Sequence, residues 1–153
     1  MKKIILFLII ASVGAVSCKK EKTNTRLDKP IAEGIQGVWY TVSGTHDYFD
    51  ANNNKIFSQP IEAEWKYTIK EQITVDNSQG VRQFRTDYTV STANNKNYFN
   101  FTDNGVAHSY EITSLDVNTM GWREERANAS YQDNGQKMAA KVVSTISFRC
   151  PCR

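Results

Sequence analysis

Apolar and polar residues alternate along most of the chain after residue 34, with the period of two that is typical of β-strands. The longest such run, residues 136–148, has one parity made up of Met138, Ala140, Val142, Ser144, Ile146 and Phe148. Similar alternation predicts strands in residues 37–48, 65–75, 83–90, 98–101, 106–115 and 118–126. Glu71 interrupts the segment 65–75, which is therefore either one long strand or two pieces bent at Lys70-Glu71. A single helical turn within residues 29–35 is the one helix that we predict.

Short turn sequences separate these strands. Asn104-Gly105 and Asn134-Gly135 predict tight hairpins, because both residue types tolerate positive φ. Residues 76–80 and 93–97 predict slightly longer turns, and residues 50–60 the longest loop. Short turns join neighbouring antiparallel strands. We therefore predict an all-β fold: an up-and-down antiparallel meander of seven or eight strands that hides its edges by closing into a barrel.

The first residues have a different pattern. Lys2 and Lys3 precede a run of apolar residues, 4–13, and small residues then lead to Cys18. This run is shorter than the roughly 20 apolar residues that a transmembrane helix needs. A basic start, a short apolar stretch and a small-residue cleavage site are typical of a secretory signal. We therefore predict a signal peptide over residues 1–17.

The residues around the cleavage site indicate a lipid anchor. Ala15-Val16-Ser17-Cys18 resembles the bacterial lipobox, which implies that Cys18 is acylated, for example with palmitate, and becomes the first mature residue. Ala15 stands where Leu is most common, and plain secretion is the alternative. Lys19 after the cysteine favours the outer membrane. Residues 18–33 are polar and charged, so we predict a flexible tether before a domain over residues 34–153.

Charge excludes one class of partner. Removal of Lys2 and Lys3 lowers the formal net charge from +3 to +1. A nucleic-acid-binding domain would show a concentrated basic patch, which this sequence lacks. We predict no nucleic-acid partner.

Two short motifs resemble the lipocalin-like domains of small Gram-negative envelope lipoproteins. Gly37-Val38-Trp39 matches the lipocalin Gly-x-Trp, and the run from Tyr110 to Leu115 followed by Met120-Gly121-Trp122 is similar to a late-strand pattern of these domains. The resemblance covers residues 34–149. It implies a lipocalin-like barrel whose closed end is plugged by Trp39, with Arg149 stacked on its ring.

A barrel of this size either fills its interior or holds one small ligand. We predict a small, largely apolar ligand bound among inward-facing side chains. The candidate ligand-binding residues are Tyr40, Trp65, Tyr67, Tyr110, Met120, Trp122, Glu124 and Met138. Glu124 is either part of a solvated strand end or an inward carboxylate near the barrel mouth.

Evidence for catalysis is thin. His46 and His108 are the two histidines, and neither belongs to a recognisable catalytic or metal-binding motif, so we predict surface or rim positions. Cys150 and Cys152 flank one proline; a disulfide, a soft-metal site and pairing with another chain are all open. We predict no catalytic residue, no metal and no cofactor.

These observations favour a membrane-anchored, non-catalytic binding protein. The alternative is an envelope interaction module with a filled barrel core, acting as an inhibitor or assembly factor through the loop at residues 50–60. An enzyme is the third hypothesis, and a cavity that holds both His46 and a carboxylate would favour it.

Overall fold

The computed structural model describes residues 29–151, which form a one-turn helix and ten strands. Cys18 and the predicted signal peptide lie outside the described residues, as does Cys152. The elements are α1 (Ile31–Gly34), β1 (Gly37–Phe49), β2 (Lys55–Pro60), β3 (Lys66–Ile69), β4 (Ile73–Asp76), β5 (Arg82–Thr86), β6 (Tyr88–Ala93), β7 (Lys96–Asp103), β8 (Val106–Leu115), β9 (Thr119–Gln132) and β10 (Gln136–Arg149). No helix in this part of the chain is long and apolar enough to cross a membrane.

The strands form one antiparallel sheet in the order β5-β4-β3-β1-β10-β9-β8-β7-β6. The first long strand pairs with the last, and the sheet curls until β5 contacts β7, so the barrel is nearly closed. β2 and β3 pair with successive halves of the same edge of β1. The predicted all-β, up-and-down antiparallel barrel is confirmed.

The strand count of seven or eight was too low because β2 lies in the predicted loop and because two predicted segments, one of them already expected as a possible pair, each form two strands. Residues 65–75 form the hairpin β3-β4, with its turn at the Lys70-Glu71 interruption. Residues 83–90 are split at Asp87 between β5 and β6. The predicted long loop at residues 50–60 is wrong, because the Asp50 carboxylate accepts the backbone N–H groups of Asn52 and Asn54, and β2 follows at once.

The hairpin turns follow from residues that accept positive φ. Asn104 and Gly105 have φ of 47° and 80°, as the predicted Asn-Gly turn requires. Asn94 and Asn95, with φ of 51° and 59°, make a two-residue turn where a longer one was predicted. Gly37, at the start of β1, has φ of 145°, a conformation that residues with a Cβ rarely adopt.

Two local irregularities reverse the inward parity within long strands. The register of β1 on β10 shifts between Thr41 and Ser43, so Thr41 points inward while Tyr40 and Val42 are 37% and 52% exposed. In β9 and β10, strand pairing skips Asn128 and Ala140, and Asn128 has φ of 54°. Beyond that point the predicted parity is wrong for Met138, which is 63% exposed, and for Ala140, which is also exposed.

One end of the barrel is filled by a packed apolar core. Ile31 of the helical turn α1 packs against this core, and Ile35, which follows α1, belongs to it, so the folded domain begins before the predicted boundary at residue 34. The Trp39 indole is fully buried, and its N–H donates to the backbone oxygen of Ile35 at 2.7 Å. The buried core residues are Ile35, Trp39, Ile69, Ile73, Val75, Phe99, Phe101, Tyr110, Met120, Trp122, Ile146 and Phe148.

Candidate ligand-binding cavity

A half-open cavity of about 450 Å³ lies inside the barrel, above the packed core. Almost every part of the sheet contributes to it, from β1 and β10 through β7, β8 and β9 to β3 and β5. The segment that follows β2 forms its rim. The lining residues are His46, Gln59, Pro60, Ile61, Glu62, Trp65, Tyr67, Phe84, Phe101, Asp103, His108, Tyr110, Arg126 and Ile146.

One wall of the cavity is a ladder of nearly parallel rings that crosses three strands. Phe84 on β5 stacks on Phe101 of β7, with ring centroids 5.7 Å apart. Phe101 in turn stacks on His108 of β8 at 5.1 Å, and His108 stacks on Tyr110 at 5.7 Å. The inward alternation of each strand places these rings on the same face, so the wall is aromatic and suited to a ring-bearing ligand.

The floor of the cavity is made of residues that are too deeply buried to meet a ligand. Trp122 is 0% exposed and packs against Phe99 at 4.9 Å and Phe148 at 4.5 Å between ring centroids. Met120, two residues earlier on β9, is 1% exposed. These side chains therefore support the cavity instead of lining it.

A belt of polar side chains crosses four neighbouring strands at one side of the cavity; we call His46, Ser144, Glu124 and His108 the polar belt. Its two histidines line the cavity, and Ser144 and Glu124 lie behind it. His46 Nδ1 lies 2.8 Å from Ser144 Oγ, linking β1 to β10. Glu124 on β9 accepts the backbone N–H of Ser109 at 3.0 Å and lies 3.2 Å from His108 Nδ1. Burial of these polar groups is offset because each has a partner in the next strand.

Glu124 is the electrostatic centre of the belt. It is 3% exposed, and Arg126 Nε lies 3.2 Å from its Oε2, at ion-pair distance but without hydrogen-bond alignment. Burial alone would raise the pKa of Glu124. The hydrogen bonds from His108 and from the Ser109 N–H, together with the positive charge of Arg126, outweigh burial and lower that pKa. Glu124 is therefore an ionised carboxylate at neutral pH.

Other groups around the cavity are held uncharged. Burial, reinforced by the nearby Arg126 charge, lowers the pKa of His46 despite the opposing effect of Glu124. Burial and then the charge of Asp103 raise the pKa of Tyr67 to about 12. The pKa of Tyr110 is raised further, by burial first and by Glu124 second. At neutral pH both phenols keep their protons and His46 is neutral.

The structure brings some of the predicted ligand-binding residues together and separates others. Trp65, Tyr67 and Tyr110 line the cavity, while Met120 and Trp122 lie beneath it and Glu124 points inward behind it. Tyr40 and Met138 lie on the outer surface because of the parity reversals, so their predicted inward direction is wrong.

Of the fourteen residues that line the cavity, three were predicted from the sequence as ligand-binding residues. Sequence reasoning placed His46 and His108 at the surface or rim, whereas both line the cavity. It also missed Phe84, Phe101 and Asp103 as lining residues. Phe101 and His108 face each other across β7 and β8, and the tight Asn104-Gly105 turn fixed that register in advance. The turn motif was therefore an available signal for this pair.

Two residues with predicted structural roles, Arg149 and Cys150, lie at the end of β10 and directly after it. Arg149 is paired with Tyr40 across β1 and β10 and is exposed, so its side chain leaves the sheet on the face opposite to buried Trp39. Alternation thus contradicts the predicted stacking of Arg149 on Trp39. Cys150 is half-buried and packs against the core, and its proposed disulfide to Cys152 involves a residue outside the described range.

Within residues 29–151, no group of three or more His, Cys, Asp or Glu side chains is arranged to hold a metal ion. Comparison of the chain with protein-family models, with curated proteins and with solved structures found no match.

Proposed function

We propose that the chain is a lipid-anchored, non-catalytic binding protein that holds one small ligand with an apolar or aromatic body inside its barrel. The observation that carries this proposal is the half-open cavity of about 450 Å³, lined by five aromatic side chains. Cavities of roughly 300–1,000 Å³ with mostly apolar walls and a few polar groups are typical of small-molecule sites.

The polar groups favour binding over catalysis. The cavity does contain His46 and the carboxylates of Glu62 and Asp103, which is the arrangement that would favour an enzyme. The hydroxyl nearest to His46 belongs to Ser144, however, which is 1% exposed and out of reach of a substrate. An activated nucleophile needs access to the atom that it attacks. We therefore assign the polar belt a structural and orienting role.

A cavity-filling substitution tests ligand binding. Ile61 is half-buried at the cavity rim, so Ile61→Trp should place an indole in the opening and weaken binding of phenethyl alcohol or decanol at least tenfold by calorimetry. Ile56→Trp is the matched control, because Ile56 is 44% exposed on the adjacent strand β2 and lies outside the cavity lining. Equal affinity in both variants would remove the proposal.

Anchoring is supported by the amino-terminal sequence alone. We expect labelled palmitate to be incorporated into the full-length chain made in a Gram-negative host, and Cys18→Ala to abolish incorporation. Cys150→Ala is the control, because this cysteine packs against the barrel core and should leave labelling unchanged. Labelling that survives Cys18→Ala, or a mature chain whose first residue is not Cys18, would contradict the anchor.

The alternative, an envelope interaction module, has one observation in its favour. β2 pairs with β1 along one edge, and its other edge pairs with no strand in the described part of the chain. A free strand edge is a surface to which another chain can add a strand. A protein partner that co-purifies with the unmodified protein but not with a proline-substituted β2, with no ligand bound, would favour this module over the binding protein.

A further inference from the structure

The cavity carries more negative than positive charge. Glu62 and Asp103 both line it, and neither forms an ion pair with any cation among residues 29–151. One oxygen of Asp103 is buried without a hydrogen-bond partner in the same part of the chain. A shielded carboxylate oxygen without a donor is costly, and a ligand that brings a donor to this carboxyl group recovers part of that cost.

The cationic groups do not offset these carboxylates. Arg126 is the one guanidinium among the described lining residues, and its charge is already opposed by Glu124 at 3.2 Å. The charge of Arg126 is therefore opposed by Glu124, and Asp103 keeps a negative charge that no cation among residues 29–151 opposes.

The aromatic walls complement a cation in the same place. Phe101 is two residues before Asp103 on β7, so alternation directs both side chains into the cavity, and Tyr67 lies close enough to sense the Asp103 charge. Ring faces attract ammonium groups through the quadrupole of the ring, most strongly when water is excluded. A carboxylate beside several aromatic rings is a suitable environment for a protonated amine.

We propose that the ligand is an organic cation: a protonated amine on an aromatic or apolar body, with its ammonium group at Asp103 and its body against the ring ladder of Phe84, Phe101, His108 and Tyr110. This inference rests on the proposed binding function and specifies the ligand class. Neutral and anionic ligands of equal size fill the same space but leave Asp103 without its counter-charge.

Three probes of one shape and different charge test the inference: phenethylammonium, phenethyl alcohol and phenylacetate. Calorimetry with the full mature protein at neutral pH should show phenethylammonium binding at least tenfold tighter than the other two. Asp103→Asn, which keeps the side-chain shape, should remove that preference and leave affinity for the alcohol unchanged. Asp116→Asn, at an exposed turn, is the matched control and should retain it.

The outcomes separate the inference from the proposal beneath it. Binding of the alcohol or the acid at least as tight as that of the amine would overturn the cation assignment and leave ligand binding intact. A preference for the amine that persists in Asp103→Asn would overturn the role of Asp103. No binding of any of the three probes, nor of decanol, would overturn both the inference and the proposed function.

Discussion

Replacement of Glu124 by alanine is expected to lower the free energy of unfolding by about 3 kcal/mol, because buried hydrogen-bond donors lose a charged acceptor. The carboxylate is 3% exposed. It is hydrogen-bonded to His108 and to the Ser109 N–H, and it lies at ion-pair distance from Arg126. Its removal leaves the Ser109 N–H without its acceptor and Arg126 without its counter-charge. Urea denaturation of the two proteins measures the difference.

Glu124→Gln is the control for shape, because the amide still offers one acceptor oxygen to the Ser109 N–H. Glu124→Gln should lower the free energy of unfolding by less than Glu124→Ala does, and the size of this decrease should depend on pH. Since folding lowers the pKa of Glu124 from its ordinary 4.5, its charge stabilises the fold fully above that value. This contribution is lost as pH falls through the lower pKa of the folded state. The free energies of unfolding of the unmodified protein and of Glu124→Gln should therefore converge in acid. A difference in the free energy of unfolding between these two proteins that stays constant from neutral pH into acid would contradict the ionised, paired state of Glu124.

Replacement of Trp39 by alanine should cost a similar amount, about 3–5 kcal/mol, which is typical of removing a large buried aromatic side chain. Trp39 is 0% exposed in the filled end of the barrel, and its indole N–H holds the carbonyl of Ile35 at 2.7 Å. The substitution opens a cavity and also releases the turn α1 from β1. Thermal and urea unfolding report the loss.

Trp39→Phe separates the two contributions to this loss. Phenylalanine keeps most of the apolar volume but cannot donate to Ile35, so its cost should include about 1 kcal/mol for the lost hydrogen bond and a further loss for the smaller ring. A loss below 1 kcal/mol for Trp39→Ala would show that this end of the barrel is not tightly packed. Equal losses for both substitutions would assign the whole effect to the hydrogen bond.

The architecture could be predicted from the sequence because strand periodicity and turn chemistry are local properties. The alternation in residues 106–115 predicts β8 with its observed bounds, and Asn104-Gly105 predicts the turn before it. Whether a side chain points inward or outward could be predicted only in segments where the alternation is unbroken. The register shift after Thr41 and the skipped pair at Asn128 and Ala140 depend on contacts between strands, which periodicity along one strand does not report.

The cavity was only partly accessible for the same reason. Trp65, Tyr67 and Tyr110 follow from alternation in segments without such breaks. The histidines did not stand out, because His46 and His108 lie 62 positions apart and meet the cavity through the closure of β1 on β10 and the pairing of β8 with β7. The pairing of β1 with β10 has no local turn motif, whereas the Asn104-Gly105 turn does fix the register of β7 and β8. The lipocalin resemblance, which rests on short motifs, remains a prediction.

The central claim, a ligand inside the open end of the barrel, is tested most directly by the indole N–H signals of the three tryptophans. Trp65 lines the cavity, Trp122 lies under it, and Trp39 belongs to the filled end. During a titration with phenethylammonium, we expect a large nuclear magnetic resonance shift for Trp65, a smaller one for Trp122 and almost none for Trp39. Shifts confined to outer-surface residues such as Tyr40 and Val42, with all three indoles unmoved, would contradict the claim.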